Sequence, residues 1–159
     1  MPRFHKSEIA RLQLQTAVDL FLNGFDRSSV ITLAGAASGI LDTLVRKAGK
    51  ESFIDYARRV HNVQKGYTPK RISFAHFIEK RHGVIAHKHL SKDDTETIEL
   101  DLEKQATDAL INAITDYIEL NGQDELFVRA FLQWTWVSKD GAAQMAEFAS
   151  LPAKLRPKN

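Results

Sequence analysis

The apolar residues of this chain recur every three to four positions, and this helical period constrains its fold more than any other feature. The segment Val30–Val45 shows it most strongly, because apolar side chains fall around much of its girth. Small residues at positions 34–39 of this segment predict that neighbouring helices approach it closely. No sustained alternation of polar and apolar residues indicates a strand. We therefore predict an all-α fold without a sheet, a single-domain bundle of five to six helices with Val30–Val45 at its centre.

Residues that stop helices divide the chain into these predicted elements. They occur at Asn23-Gly24, Gly49, Gly66–Pro69 and Asn121-Gly122. The segment Asp93–Glu96 has the form of a capping box, which predicts that the fifth helix begins there. Residues 1–150 are predicted to form one helical domain. Residues 151–159 contain two prolines and three cations and are predicted to form a flexible C-terminal tail.

The composition is that of an ordinary globular protein, and it excludes several classes of function. The chain has 159 residues, of which 43% are apolar and 26% are charged, and its net charge is +2. The absence of cysteine excludes disulfides, thiol catalysis and Cys-zinc sites. No uninterrupted apolar segment reaches the ~18–20 residues of a membrane helix, and the N-terminus lacks the apolar core of a secretory signal. We therefore expect a cytoplasmic protein with no membrane partner.

Four of the six histidines lie between positions 76 and 89, in the segment with the most chemically reactive side chains. They are His76, His82, His87 and His89. A pair of metal ligands on one helix face is spaced four residues apart, and no two of these histidines have that spacing. We therefore predict neither a metal site nor a cofactor.

Arg81 lies six positions before His87 in this segment. On an unbroken helix the two side chains would point about 120° apart, so they would not converge on one ligand. A break at Gly83 is one way to bring them together, because glycine is a natural breaking point. A two-fold homodimer that faces the segment against its mate is another. We expect the homodimer, since Trp136 and Phe148 also fall off the apolar stripes of their segments.

The arginine and the histidine in this segment resemble a known signature. Arg81, followed by a polar residue and then by Ile85-Ala86-His87 after a predicted helix, resembles the Arg-x4–6-His motif of the HEPN superfamily. The residue after the arginine is usually asparagine in that family, whereas here it is His82. HEPN domains are all-helical, often dimerise, and include metal-independent ribonucleases, toxins of toxin–antitoxin pairs and phage-defence effectors. The resemblance implies an HEPN-like bundle, RNA or a nucleotide as ligand, and an antitoxin protein as a further partner.

A second resemblance covers residues 13–137. The chain is similar over this range to a group of small uncharacterised bacterial all-helical proteins. The segments that carry the similarity are Leu33–Leu41, Lys88-His89 followed by Asp93-Asp94, and Ala130–Trp134. In this comparison His89, rather than His87, takes the position of the group's histidine. Both histidines therefore stay open as the catalytic residue.

The chemistry implied by the HEPN resemblance is metal-independent RNA cleavage by transesterification. An imidazole titrates near pH 6.5, so it can take the proton of a ribose 2′-OH at neutral pH. An arginine can bind the charge that develops on the phosphorus as the 2′-oxygen attacks, and the product is a 2′,3′-cyclic phosphate. The candidate catalytic residues are Arg81, His87, His82 and His89. The candidate RNA-binding residues are Lys80, Lys88 and Arg71.

The same residues also permit a non-enzymatic interpretation. His87 can stabilise the C-terminus of a helix, and Arg81 can pair with Glu79 or with an acid on the fifth helix. The middle of the chain is rich in cations, which either follow an RNA backbone, with Tyr56 or Tyr67 stacking on a base, or form a solvated surface. The alternative function is thus a helical protein-interaction module, with Trp136 as its interface candidate.

Overall fold

The computed structural model of the chain describes residues 1–152, with the side chains at 139–141, 144, 145 and 148 outside that description. Within this part of the chain there are seven helices and no strand, which confirms the predicted all-α bundle. The helices are α1 (Lys6–Leu22), α2 (Arg27–Lys47), α3 (Phe53–Lys65), α4 (Arg71–Arg81), α5 (Leu102–Asn121), α6 (Leu126–Val137) and α7 (Lys139–Ser150). The sequence pattern does not predict α7, which follows α6 after the single residue Ser138.

Helix α2 is the centre of the bundle, as the sequence predicts. It packs against α1 on one side and against α5 on another, and α1 also contacts α5 and α6. The α2 side chains with no solvent exposure are Val30, Ile31, Ala34, Ala37, Leu41 and Val45. Each buried Val, Leu or Ile side chain contributes roughly 1.5–3 kcal/mol, so this row is the main source of stability in the core.

By length and mean hydropathy, α2 is also the one helix within residues 1–152 that could cross a membrane. In the structure the apolar residues of α2 pack against other helices, because α2 lies between α1 and α5 and buries one face against each. That is the arrangement of a core helix in a soluble bundle.

Helix α6 closes the core beside α1. Trp134 stacks on Phe131 with 5.6 Å between ring centroids and meets Phe21 edge-on at 4.8 Å, as expected of a core residue. Trp136, two positions later, is 71% exposed at the end of α6. The side chain of Phe148 lies outside the described residues, and so do residues 153–159 of the predicted tail at 151–159.

Helices α3 and α4 form a hairpin with a small core of its own. Ile54, Phe74 and Ile78 are its buried apolar residues. The hairpin contacts the rest of the bundle mainly where α3 meets α5. Its attachment therefore depends on few apolar contacts, and polar bonds at the start of α3 and α4 supply much of the rest.

The end of α4 is fixed by the turn that follows it. The backbone N–H of Val84 donates to the carbonyl of Glu79, and that of Gly83 donates to Lys80, while Gly83 has a φ of 76°. This is a Schellman motif, in which glycine takes the left-handed position and the next residue is apolar. Val84 is buried and packs on Gly35 of α2, where a methyl group would lie 2.6 Å from Val84 Cγ1. The close approach predicted for the small residues of α2 thus occurs at Gly35.

The predicted start of the fifth helix is wrong. Helix α5 begins at Leu102 with Asp101 as its N-cap, and Asp93–Glu96 is not helical. The Asp94 carboxylate instead accepts from the backbone N–H of Ser91 at 2.9 Å and closes a local turn. A side chain that caps such a turn offers the backbone an alternative to the helix, so the capping-box pattern is not sufficient here.

The contact between Gly35 and Val84 predicts opposite effects for two glycine substitutions in α2. Gly35→Ala places a methyl group against Val84 and should lower the free energy of unfolding by about 1–3 kcal/mol. Gly39→Ala has no atom within 4 Å of its new methyl group and should raise it by about 0.5–1 kcal/mol, because alanine favours helix. Urea unfolding of both variants tests this, and equal effects of the two substitutions would contradict the packing.

Candidate functional site

Arg81 is the last residue of α4, and its side chain is exposed. It forms no ion pair within residues 1–152, so the predicted pairing with Glu79 or with an acid of the fifth helix is not found there. The helix ends at this residue and Gly83 redirects the chain. The helix breaks at Gly83, so the angular separation expected of Arg81 and His87 on one continuous helix does not apply.

His87 lies in the short helical turn that follows Gly83, and its ring is half-buried. Its Nδ1 is 2.7 Å from the carbonyl oxygen of Gly83. Since a carbonyl oxygen only accepts hydrogen bonds, we assign the ring proton to Nδ1, which leaves the Nε2 lone pair available to accept a proton. The turn itself is held by Val84 in its contact with Gly35, so the position of this ring is tied to the core of the bundle.

The turn that carries His87 also lies near the N-terminus of α2. Asp26 caps that helix, accepting from the backbone N–H groups of Ser28 and Ser29 and from the Ser29 hydroxyl. The hydrogen bonds from Ser29 are the main cause of a lowered pKa of Asp26, and the electrostatic field of His87 lowers it further.

His82 is placed differently from the other candidate histidines. It follows α4 directly, is only 6% exposed, and lies with its ring centroid 6.1 Å from that of Phe53. Burial lowers its pKa to about 4, opposed by Asp108, while Arg81 and Lys104 lower it further. A neutral ring inside the protein does not reach a phosphodiester, so His82 does not join the exposed candidates.

Lys80, Lys88 and His89 are exposed around Arg81 and the His87 turn. With Arg81 and His87 they make up what we call the α4-end surface. Four of its five side chains are exposed, and none is part of an ion pair within the described residues. Six of the seven candidate site residues thus lie at the end of α4 or directly after it, and five of them, all except the buried His82, belong to the α4-end surface.

Arg71, a candidate for RNA binding, is instead held inside a cluster of polar side chains. Its guanidinium donates to Asp42 at 2.5 Å, to Asp55 at 3.0 Å and to the Ser52 hydroxyl at 3.3 Å. Two carboxylates of the protein bind this guanidinium, so Arg71 is not one of the cations left unpaired for a phosphate. With Asp116, which lies beside them, these residues form what we call the Arg71 cluster.

Asp116 is the residue of this cluster that sequence reasoning missed. Its side chain has no solvent exposure, Oδ1 accepts from the backbone N–H of Phe53 at 2.7 Å, and Oδ2 has no hydrogen-bond partner among the described residues. Burial raises its pKa to about 7, the Phe53 N–H lowers it, Asp42 and Asp55 raise it, and Arg71 lowers it. The signal in the sequence was an acid at position 116, within the mainly apolar buried face of α5.

The Arg71 cluster joins four helices. Asp42 comes from α2, Ser52 and Asp55 from the start of α3, Arg71 from the start of α4 and Asp116 from α5. It thereby docks the α3–α4 hairpin on the bundle. Within residues 1–152, no three His, Asp or Glu side chains are placed to hold a metal ion together. We therefore interpret the cluster as a structural junction.

The buried Asp116 and His82 predict two opposite dependences of stability on pH. The folded-state pKa of Asp116 is raised, so its contribution to stability is full below about pH 4 and is lost as the pH rises through about 7. The folded-state pKa of His82 is lowered, so its contribution is full above about pH 6.5 and is lost as the pH falls toward 4. In the wild type the two contributions offset each other in the pH range they share.

Asp116→Asn should separate the contributions of Asp116 and His82 to stability, because the amide still accepts from the Phe53 N–H but does not ionise. We expect the variant to be more stable than the wild type at pH 8, by up to about 4 kcal/mol, and to gain nothing near pH 4. Its stability should also fall more steeply in acid, since only the contribution of His82 remains. Urea unfolding from pH 4.5 to 8 measures this, and a difference between the two proteins that does not change with pH would contradict the assignment.

Of the two polar clusters defined above, the α4-end surface has mostly exposed side chains, whereas the Arg71 cluster is at least half-buried. No family model, curated protein or solved structure matches the chain.

Proposed function

We propose that this protein is an RNA-directed, metal-independent endoribonuclease whose active site is the α4-end surface. The observation that supports this most is the hydrogen bond between His87 Nδ1 and the Gly83 carbonyl, because it leaves Nε2 as a proton acceptor. An exposed arginine without an ion-pair partner in the described residues ends the helix just before this turn. One short segment thus supplies both the general base and the group that binds the phosphate.

The reaction follows from these two groups. His87 Nε2 takes the proton of a ribose 2′-OH, and the 2′-oxygen attacks the adjacent phosphorus in line with the departing 5′-oxygen. Arg81 donates hydrogen bonds to the nonbridging oxygens as negative charge develops on them. The 5′-oxygen leaves with a proton from the imidazolium, or from His89, and the other product ends in a 2′,3′-cyclic phosphate. Lys80 and Lys88 bind neighbouring phosphates.

We place this activity in the cytoplasm, with the protein acting as an HEPN-like homodimer and an antitoxin protein covering its RNA surface when it is held inactive. The support for a protein partner is the apolar end of α6, where Trp136 and Val137 are 71% and 75% exposed. Tryptophan is enriched at the centres of protein interfaces, which makes Trp136 the residue of this pair that a partner would cover.

Cleavage should depend on His87 and Arg81 and not on His76, the histidine of α4. We expect His87→Ala to slow the cleavage of RNA by about 10²–10⁴-fold and Arg81→Ala by about 10²–10³-fold. The control is His76→Ala, because His76 is an exposed histidine on the same helix that is not on the α4-end surface. All three should change the free energy of unfolding by less than about 1 kcal/mol.

Three further measurements distinguish the mechanism from its competitors. EDTA should leave the rate unchanged, and a 2′-deoxy nucleotide at the cleaved position should stop the reaction because it removes the nucleophile. Full activity of His87→Ala together with loss of activity in His89→Ala would show that His89 is the base. Cleavage of the 2′-deoxy substrate would contradict the transesterification itself.

The second candidate function is a helical interaction module without catalysis, and the exposed end of α6 favours it. If this end forms the homodimer, light scattering should show a dimer at tens of micromolar for the wild type and a monomer for Trp136→Ser. Leu126→Ser is the matched control, because Leu126 is 81% exposed at the other end of α6. A monomeric wild type would contradict the homodimer, and dissociation by both substitutions would contradict the assignment to Trp136.

A further inference from the structure

A row of aromatic rings runs across the surface of the α3–α4 hairpin. The ring of Tyr67 lies 4.8 Å from that of His61, His61 lies 5.7 Å from Phe74, and Phe74 lies 5.9 Å from Phe77. The two end members, Tyr67 and Phe77, are 60% and 52% exposed, whereas Phe74 between them is buried. The row therefore presents two partly exposed rings to solvent, and each of them packs against a further ring of the row.

The cations beside this row differ from the other cations of the hairpin. Arg58, Arg59 and Arg71 each bind carboxylates of the protein. Lys65 and Lys70 are exposed and form no ion pair within residues 1–152. Lys65 and Lys70, which lie on either side of Tyr67 in the chain, thus leave positive charge open to a ligand near one end of the row.

Helical spacing connects these cations to the rings. Lys65 follows His61 by four residues on α3, and Arg81 follows Phe77 by four residues on α4, so each pair shares a helix face. Lys70 precedes α4 and lies in the chain between Tyr67 and Phe74. The aromatic row, with cations along it, therefore runs from the α3–α4 turn to Arg81 of the α4-end surface.

We propose that this row binds single-stranded RNA, with Tyr67 and Phe77 stacking on bases and Lys65, Lys70 and Arg81 contacting phosphates. The proposal rests on the proposed function, because it defines which RNA reaches the α4-end surface and from which side. Proteins that bind single strands combine aromatic side chains, which stack on the bases, with cations, which contact the phosphates. A duplex offers no free base face to an exposed ring, and a protein partner would not need the phosphate-binding cations.

The test measures binding separately from cleavage. Fluorescence anisotropy of a short labelled oligouridylate is measured with His87→Ala protein, so that the strand stays intact. Tyr67→Leu and Phe77→Leu, added to this protein, keep apolar volume but remove the aromatic face. Each should weaken binding by about 5- to 150-fold, since stacking contributes about 1–3 kcal/mol per base. Lys65→Gln with Lys70→Gln should reduce the dependence of affinity on salt.

Ile72→Ala is the matched control, because Ile72 is 87% exposed on α4 and is not part of the row. It should leave the affinity unchanged, and thermal melts of all variants verify that the hairpin is folded. Unchanged affinity in both leucine variants would overturn the proposal. So would an equal loss in Ile72→Ala, which indicates a general apolar surface suited to a protein, or equal affinity for an RNA duplex.

The results of this test distinguish the proposed stacking surface from the proposed ribonuclease activity. Loss of binding in the leucine variants, in a protein that never cleaves RNA, would support the stacking surface and contradict the ribonuclease. Cleavage that needs His87 but has the same KM in Tyr67→Leu and Phe77→Leu would support the ribonuclease and overturn the stacking surface. A wild type that binds no single-stranded RNA would overturn the stacking surface as well.

Discussion

The contact between Val84 and Gly35 is the interaction on which the functional arrangement depends. It joins the turn after α4 to the central helix of the core, so closely that a methyl group at position 35 would require Val84 to shift. The Schellman motif at Gly83 directs Val84 into this contact, and the same glycine then supplies the carbonyl that binds His87. The turn at Gly83 therefore ends α4, places Val84 in the core and orients the imidazole of His87.

The α3–α4 hairpin is attached by a different kind of interaction. Apolar burial holds α1, α2 and α5 together, whereas the hairpin meets them through Arg71, its two carboxylates and the bond from Phe53 N–H to Asp116. Removing charged groups from water is costly, so such a junction gives less stability than apolar packing of the same size. Instead, the junction fixes the orientation of the hairpin, because hydrogen bonds and ion pairs have preferred geometries. It thereby sets which face of the hairpin is exposed.

The fold was largely predictable from the sequence because the helical period is local, and so was the break at Gly83. The start of α5 was not, since Asp94 satisfies its hydrogen bonds in a turn that the capping-box pattern does not distinguish from a helix. The roles of His82 and Arg71 were not predictable for another reason. Burial and ion pairing are set by residues from other helices, up to 29 positions away in the chain for Arg71. A pattern within one segment contains no information about them.

The small core of the hairpin has a consequence for the motions of the molecule. With Ile54, Phe74 and Ile78 as its buried apolar residues, the hairpin is the unit expected to open first in sub-global unfolding, while α1, α2 and α5 stay closed. Amide protons of α3 and α4 would then exchange with solvent well before those of the core. The turn after α4 would remain on the core through Val84, so the imidazole would keep its place while the aromatic row swings away and returns. The aromatic row and the α4-end surface, the two halves of the proposed RNA site, would thus be coupled by a hinge at Gly83.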